Sequence, residues 1–175
     1  YEEMFCPEVA DFTYITNNTY TSDMIKSMER RILSSIDFRL GRPIPLHFLR
    51  RGSKAAYAGA SVHTLAKYIM ELAMVQYDLV ATSPSLIAAA SLMLALRLTR
   101  GKAEGGLSLV WTPTLVQYMG YNVEDLKETV IKLAKVMATA KDTKQQAVLK
   151  KYSKKKYMKI ALLPHLLFAQ DYIKE

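Results

Sequence analysis

The sequence predicts an all-α fold. Apolar residues recur at three- and four-residue spacing, hydroxyl, amide or proline residues stand where those runs begin, and no stretch alternates convincingly as a strand does. Half of the 175 residues are apolar and 23% are charged, which excludes the disordered and collagen-like classes and allows a sizeable core. One domain, or one domain with part of another, fits this length.

Residues 21–37 form the first predicted helix. Thr21 supplies a hydroxyl at the N-cap, Asp23 lies in the first turn, and Ile25, Met28, Ile32 and Ile36 keep helical spacing until the run ends near Asp37. Pro43 and Pro45 lack backbone donors and disfavour helix in the residue before them, so residues 39–45 are an extended connector. A second helix starts near Leu46, runs through Arg50 and Arg51, and stops by Gly52 or soon after. Ser61 opens a third, with Val62, Leu65, Ile69, Leu72 and Ala73 on one side. Pro84 takes a first-turn position in a fourth, which is apolar all round and therefore surrounded by other helices. Its alanines, Ala88, Ala89 and Ala90, let neighbours approach closely. A short helix begins at Pro113 and ends at Gly120. Asn122 caps the last, whose stripe is Leu126, Val130, Leu133, Met137 and Ala140. Residues 101–108, GKAEGGLS, are a flexible loop. Five helices between residues 46 and 141, with a wholly apolar one among them, describe a compact helical domain.

The single cysteine, Cys6, permits no internal disulfide and no cysteine-rich metal site. With no secretory leader, a reducing compartment is expected, nucleus or cytoplasm. The most apolar run, residues 86–96, is interrupted by Ser91 and is far shorter than the roughly 20 residues a membrane-spanning helix needs. No membrane association is expected. The chain opens on YEEMF rather than a methionine and is read as a fragment. Its net charge of +8 is uneven, because residues 141–159 hold eight lysines and one acid, Asp142. Such a run could attract nucleic acid or an acidic partner, but without interleaved arginines it is read as a solvated surface.

Enzymatic chemistry finds no support. The segment around Gly101 and Lys102 lacks the glycine spacing and the following hydroxyl of a phosphate-cradling loop. His47, His63 and His165 are far apart in sequence, and none belongs to a metal-binding pair at helical spacing. Cys6 has Pro7 and Glu8 beside it and no base to activate it. No catalytic residue, metal or cofactor is expected, and a binding module is the stronger reading.

Two arrangements stand out. Glu29 lies four residues from both Ile25 and Leu33, which sets a carboxylate within or beside an apolar stripe. Either its head reaches water, or it is an acceptor held for a partner. His63 and Lys67 are four apart on the helix side opposite Leu65 and Leu72, shared with Met70 and Met74. With Arg50 nearby they are either a solvated face or a cationic pocket for phosphate.

Read together, YEEMFCPEVADFTYITNNTYT, KSMERRIL, FRLGRPIPLHFLRRGSK and HTLAKYIMEL closely resemble the B-type mitotic cyclins. The resemblance covers nearly the whole chain. It implies the end of a first cyclin box at residues 1–40, an inter-box linker at 41–45, a complete five-helix second box at 46–163 and a C-terminal tail at 164–175. It implies a non-catalytic subunit that activates a cyclin-dependent serine/threonine kinase at the G2/M transition by pushing inward the kinase helix that carries a catalytic glutamate. Glu29 matches the family glutamate that grips this helix, and Tyr1, Glu2, Glu3, Met4, Leu33, Phe38 and Leu40 match neighbouring contact positions. The family's companion lysine would fall just before Tyr1. Arg50, His63 and Lys67 match a second-box pocket that recognises phosphorylated regulators or substrates. Two features depart from the family pattern: Cys6 replaces a common proline, and the GKAEGG loop is longer than usual.

Two other readings follow from the same residues. One is a non-activating module that reads phosphorylated segments through the second box. The other is a cyclin-like transcription-factor domain that binds nucleic acid through the lysine run.

Overall fold

Helices form wherever the apolar spacing predicts them, and no strand occurs among the described residues. A computed structural model describes residues 4–100 and 106–172 and divides into two units, Tyr1–Arg42 and Pro43–Glu175.

The first unit pairs two helices, α1 (Val9–Ile15) and α2 (Ser22–Ser35). Only α2 is legible from periodicity. The seven residues of α1 are held instead by a local device, the Asp11 carboxylate accepting the Glu8 N–H at 2.7 Å. Asn17 and Asn18 make the turn between the helices in the left-handed region, which asparagine tolerates better than most residues. Thr21 caps α2 as expected, its hydroxyl accepting the Met24 N–H at 3.4 Å. Neither helix buries a residue, so the α2 stripe of Met28, Ile32 and Ile36 stays largely uncovered.

The second unit contains the core. Its helices are α3 (Pro45–Ala55), α4 (Ala60–Ala73), α5 (Pro84–Arg100), α6 (Pro113–Met119), α7 (Val123–Ala138) and α8 (Ala147–Tyr152). Every residue of α5 from Ile87 to Leu98 is buried, because α3, α4 and α7 all pack on it. Of the stripe expected on the last predicted helix, Leu126, Val130, Leu133 and Met137 are buried on α7, and Ala140 is buried just past its end.

α3 runs on three residues past Gly52 and ends at Ala55, soon after the glycine as expected. The glycine is there for proximity. A Cβ at this position would lie 2.7 Å from Met119 Sδ and 2.8 Å from Leu92 Cδ2, so α5 and α6 close on α3 where it has no side chain. Gly120, by contrast, ends α6 in the left-handed conformation that the sequence predicts for a C-terminal glycine. Thr112 caps the same helix from the other end, its hydroxyl accepting the Leu115 N–H at 3.4 Å.

Past α7 the sequence offers little periodicity, yet the chain keeps folding. After α8, short 3₁₀ turns carry it to Tyr172, and the segment expected as a tail buries Leu166 and Ala169 while packing on α5 and α7. Arg97, buried on the core helix, donates from Nε to the Tyr172 carbonyl at 2.8 Å. Of the expected loop at 101–108, residues 101–105 lie outside the described residues. No helix among the described residues is long and apolar enough to cross a membrane.

Candidate functional site

At about 100° per residue, Ile25, Ile32, Leu33 and Ile36 all fall within about 60° of Glu29 on α2. The carboxylate therefore stands inside the apolar arc. Glu29 itself is exposed and forms no hydrogen bond or ion pair with any described residue, while Ile25 and Leu33 on either side are half-buried. A charge placed among apolar side chains and left without a partner can accept hydrogen bonds from an incoming surface. Of the other positions expected beside it, Met4, Phe38 and Leu40 are exposed, and Tyr1, Glu2 and Glu3 lie outside the described residues.

The second unit carries the cationic group. Arg50 comes from α3, and His63 and Lys67 from adjacent turns of α4, which packs beside it. His63 is held by Ser53, whose Oγ is 2.8 Å from Nδ1. With the Ser53 hydroxyl donating in that bond, the ring's Nε2–H is left to donate to an anion. Partial burial, then the charges of Lys67 and Arg50, push the imidazole below its usual 6.5. Lys67 stands one helical turn beyond His63 on α4. An open cleft of about 750 Å³ lies here, lined by Arg50, Ser53 and His63 together with Arg51, Lys54 and Tyr57. Lys67 stands outside its lining.

The two units match two halves of one family. The C-terminal cyclin domain matches residues 43–166 and the N-terminal cyclin domain matches residues 1–41. The chain belongs to the cyclin family. It is 45% identical over 166 residues to a G2/mitotic-specific cyclin-B of Patella vulgata, covering 95% of this chain and 39% of that one. Against cyclin-B1 of Xenopus laevis it is 46% identical over 168 residues, 95% of this chain and 41% of the other. Against cyclin-B2 of Oryzias luzonensis it is 49% identical over 168 residues, 95% and 42% respectively. This cyclin chain thus spans about two fifths of the length of these curated relatives.

One cluster in the cyclin escapes sequence reasoning. Glu71, on α4, accepts from Lys151 Nζ at 2.8 and 2.7 Å and from the Tyr152 hydroxyl at 2.7 Å. Tyr152 is buried between Tyr68 and Tyr157, with ring centroids 5.3 and 4.8 Å away. Burial, reinforced by the Glu71 carboxylate, pushes its phenol far up. One member of the lysine run is thereby a structural clamp of α8 on α4, whereas the other seven are exposed. The eighty-residue gap between the partners hides this pair from any reading of local spacing.

Of the remaining polar candidates, Cys6 and His47 are exposed. No group of three metal-ligating side chains occurs among the described residues.

Proposed function

We propose that this cyclin is a regulatory subunit that binds and activates a cyclin-dependent serine/threonine kinase at the G2/M transition and contributes no catalytic group of its own. The observation that carries this reading is Glu29: an exposed carboxylate without a partner among the described residues, set inside an uncovered apolar face. Such a face supplies apolar area for docking, and the carboxylate supplies direction, accepting from donors on the kinase helix. Met4, Leu33, Phe38 and Leu40 supply the surrounding contacts, with Tyr1, Glu2 and Glu3 in the same role. The kinase glutamate brought inward by this docking pairs with the lysine that holds the ATP phosphates. Titrating a cyclin-dependent kinase with wild-type and Glu29→Ala protein tests the assignment. Marked weakening is expected, and unchanged affinity would remove Glu29 from the interface.

Arg50, His63 and Lys67 form the second functional surface, a seat for phosphorylated regulators or substrates. The guanidinium offers a two-pronged donor, the imidazole one N–H and the ammonium a point charge, a set suited to the three oxygens of a phosphate monoester. Phosphopeptide binding that is lost in Arg50→Ala and Lys67→Ala while kinase association survives is the expected result. Partners are thus a kinase and phosphorylated proteins, with no nucleic acid or membrane. Nucleus and cytoplasm are the compartments that suit them.

A further inference from the structure

α3 ends in a Schellman turn. The Tyr57 N–H bonds the Lys54 carbonyl at 3.1 Å and the Ala58 N–H bonds the Ser53 carbonyl at 2.9 Å. This turn puts the residue after the C-cap in the left-handed region, and Tyr57 occupies it at φ 49°. Glycine or asparagine usually fills such a position, because a Cβ there is strained. Nothing in the core compensates the tyrosine, since the residue is 96% exposed. An aromatic ring held at a strained position without burial calls for a role outside the fold. Its neighbours indicate which role, because Tyr57 lines the cleft that also holds Arg50, Lys54 and His63.

That cleft is cationic without interruption. Its lining holds Arg50, Arg51, Lys54 and His63 and no acid. Arg51 is drawn aside, its guanidinium carbon 5.6 Å from the centre of the Tyr118 ring. Lys54 forms no ion pair with any described residue and stands one helical turn beyond Arg50 on the same side of α3. Side chains so placed are about 6 Å apart at Cβ. An extended peptide repeats its same-side side chains at nearly that interval, about 7 Å, every second residue.

We propose that the cleft takes an extended peptide bearing two negative groups two residues apart. A phosphorylated side chain sits on Arg50, His63 and Lys67, a carboxylate sits on Lys54, and the peptide backbone between them lies against the Tyr57 ring. The proposal rests on the phosphate-seat reading above and adds to it a sequence preference set by Lys54 and Tyr57.

Fluorescence anisotropy with three labelled peptides tests it: one with phosphoserine in a neutral sequence, one with glutamate also two residues away on both sides, and one with the glutamates moved to the adjacent positions. The second peptide is expected to bind about two- to fivefold more tightly than the first, the range of an exposed ion pair, and the third to show no such gain. Lys54→Ala should bring the first two peptides to equal affinity while leaving the first within about twofold of wild type. Tyr57→Gly should weaken both and leave the thermal midpoint unchanged or raised, because it relieves backbone strain, so the loss cannot come from unfolding. Equal affinities in the wild type, or a preference that survives Lys54→Ala, would overturn the proposal while leaving the phosphate seat standing, provided that Arg50→Ala still abolishes binding. If no phosphopeptide binds the wild type at all, the phosphate seat itself is wrong and the two-subsite reading falls with it.

Discussion

Lys151 donates to both carboxylate oxygens of Glu71, at 2.8 and 2.7 Å, and so engages the one acid that stands a helical turn from Lys67. A glutamate four residues beyond a lysine would ordinarily soften that lysine's charge. Here it is turned to α8 instead, and Lys67 forms no ion pair with any described residue.

Lys151→Met should therefore weaken phosphopeptide binding although it lies outside the cleft. Left with only the Tyr152 hydroxyl on Oε1, the Glu71 carboxylate would screen Lys67 by up to about 0.3–0.5 kcal/mol, at most roughly a twofold loss of affinity. Identical binding curves for variant and wild type would show that Glu71 does not reach Lys67.

Glu71→Ala acts on the fold. It strips the buried Tyr152 hydroxyl of its acceptor and Lys151 of its carboxylate, which should lower unfolding stability by about 1–3 kcal/mol in a urea titration. A change within about 0.5 kcal/mol would mean that water replaces the carboxylate at no cost.

His63 gives the stability a pH dependence of known sign. Because burial and the neighbouring cations hold its pKa below 6.5, the unfolded chain takes up the proton first as pH falls. Stability should drop as pH decreases through 6.5 and level off beneath the depressed folded value, and it should regain nothing further above 6.5. Denaturation curves of His63→Gln should lack this component. Parallel pH profiles for variant and wild type would contradict a neutral folded imidazole.

Glu29→Ala should separate binding from folding. The residue is exposed, so stability should stay within about 0.5 kcal/mol of wild type. Removing a carboxylate that pairs with donors across an interface costs about 2–5 kcal/mol, so kinase affinity should fall at least about thirtyfold. Calorimetric titration checks the second figure and thermal unfolding the first.

Gly52→Val should destabilise the second unit by about 2–3 kcal/mol. Even the first carbon of the new side chain meets Leu92 and Met119 inside 3 Å, and Leu92 is fully buried with nowhere to retreat. A variant as stable as wild type in urea would show that α6 shifts freely from α3.

Local rules stop short at Gly52. A glycine after two arginines has the pattern of a helix end, and Gly120 is one; nothing within a few residues distinguishes a chain terminating a helix from one admitting a neighbour. The same holds for α1 and for residues 164–172. Their order comes from a carboxylate cap and from packing on α5 and α7, neither of which leaves a long apolar period. Tyr57 shows the converse. Its type is plain in the sequence, but only the turn geometry shows that it is held in a left-handed conformation and exposed.

The sequence by itself determined the all-helical class, five of the six α-helices described in the second unit, α3 to α7, and the nature of the side chains available for binding. Spacing at three and four residues and capping residues act within one turn of the chain, so they are legible one segment at a time. Only the tertiary structure decided that Ser53 holds His63, that Arg50 approaches His63 and Lys67 from another helix, and that Glu71 pairs with Lys151. These are relations between segments, fixed by which helices bury their apolar faces against one another, and the charges on the outer faces meet wherever that burial carries them.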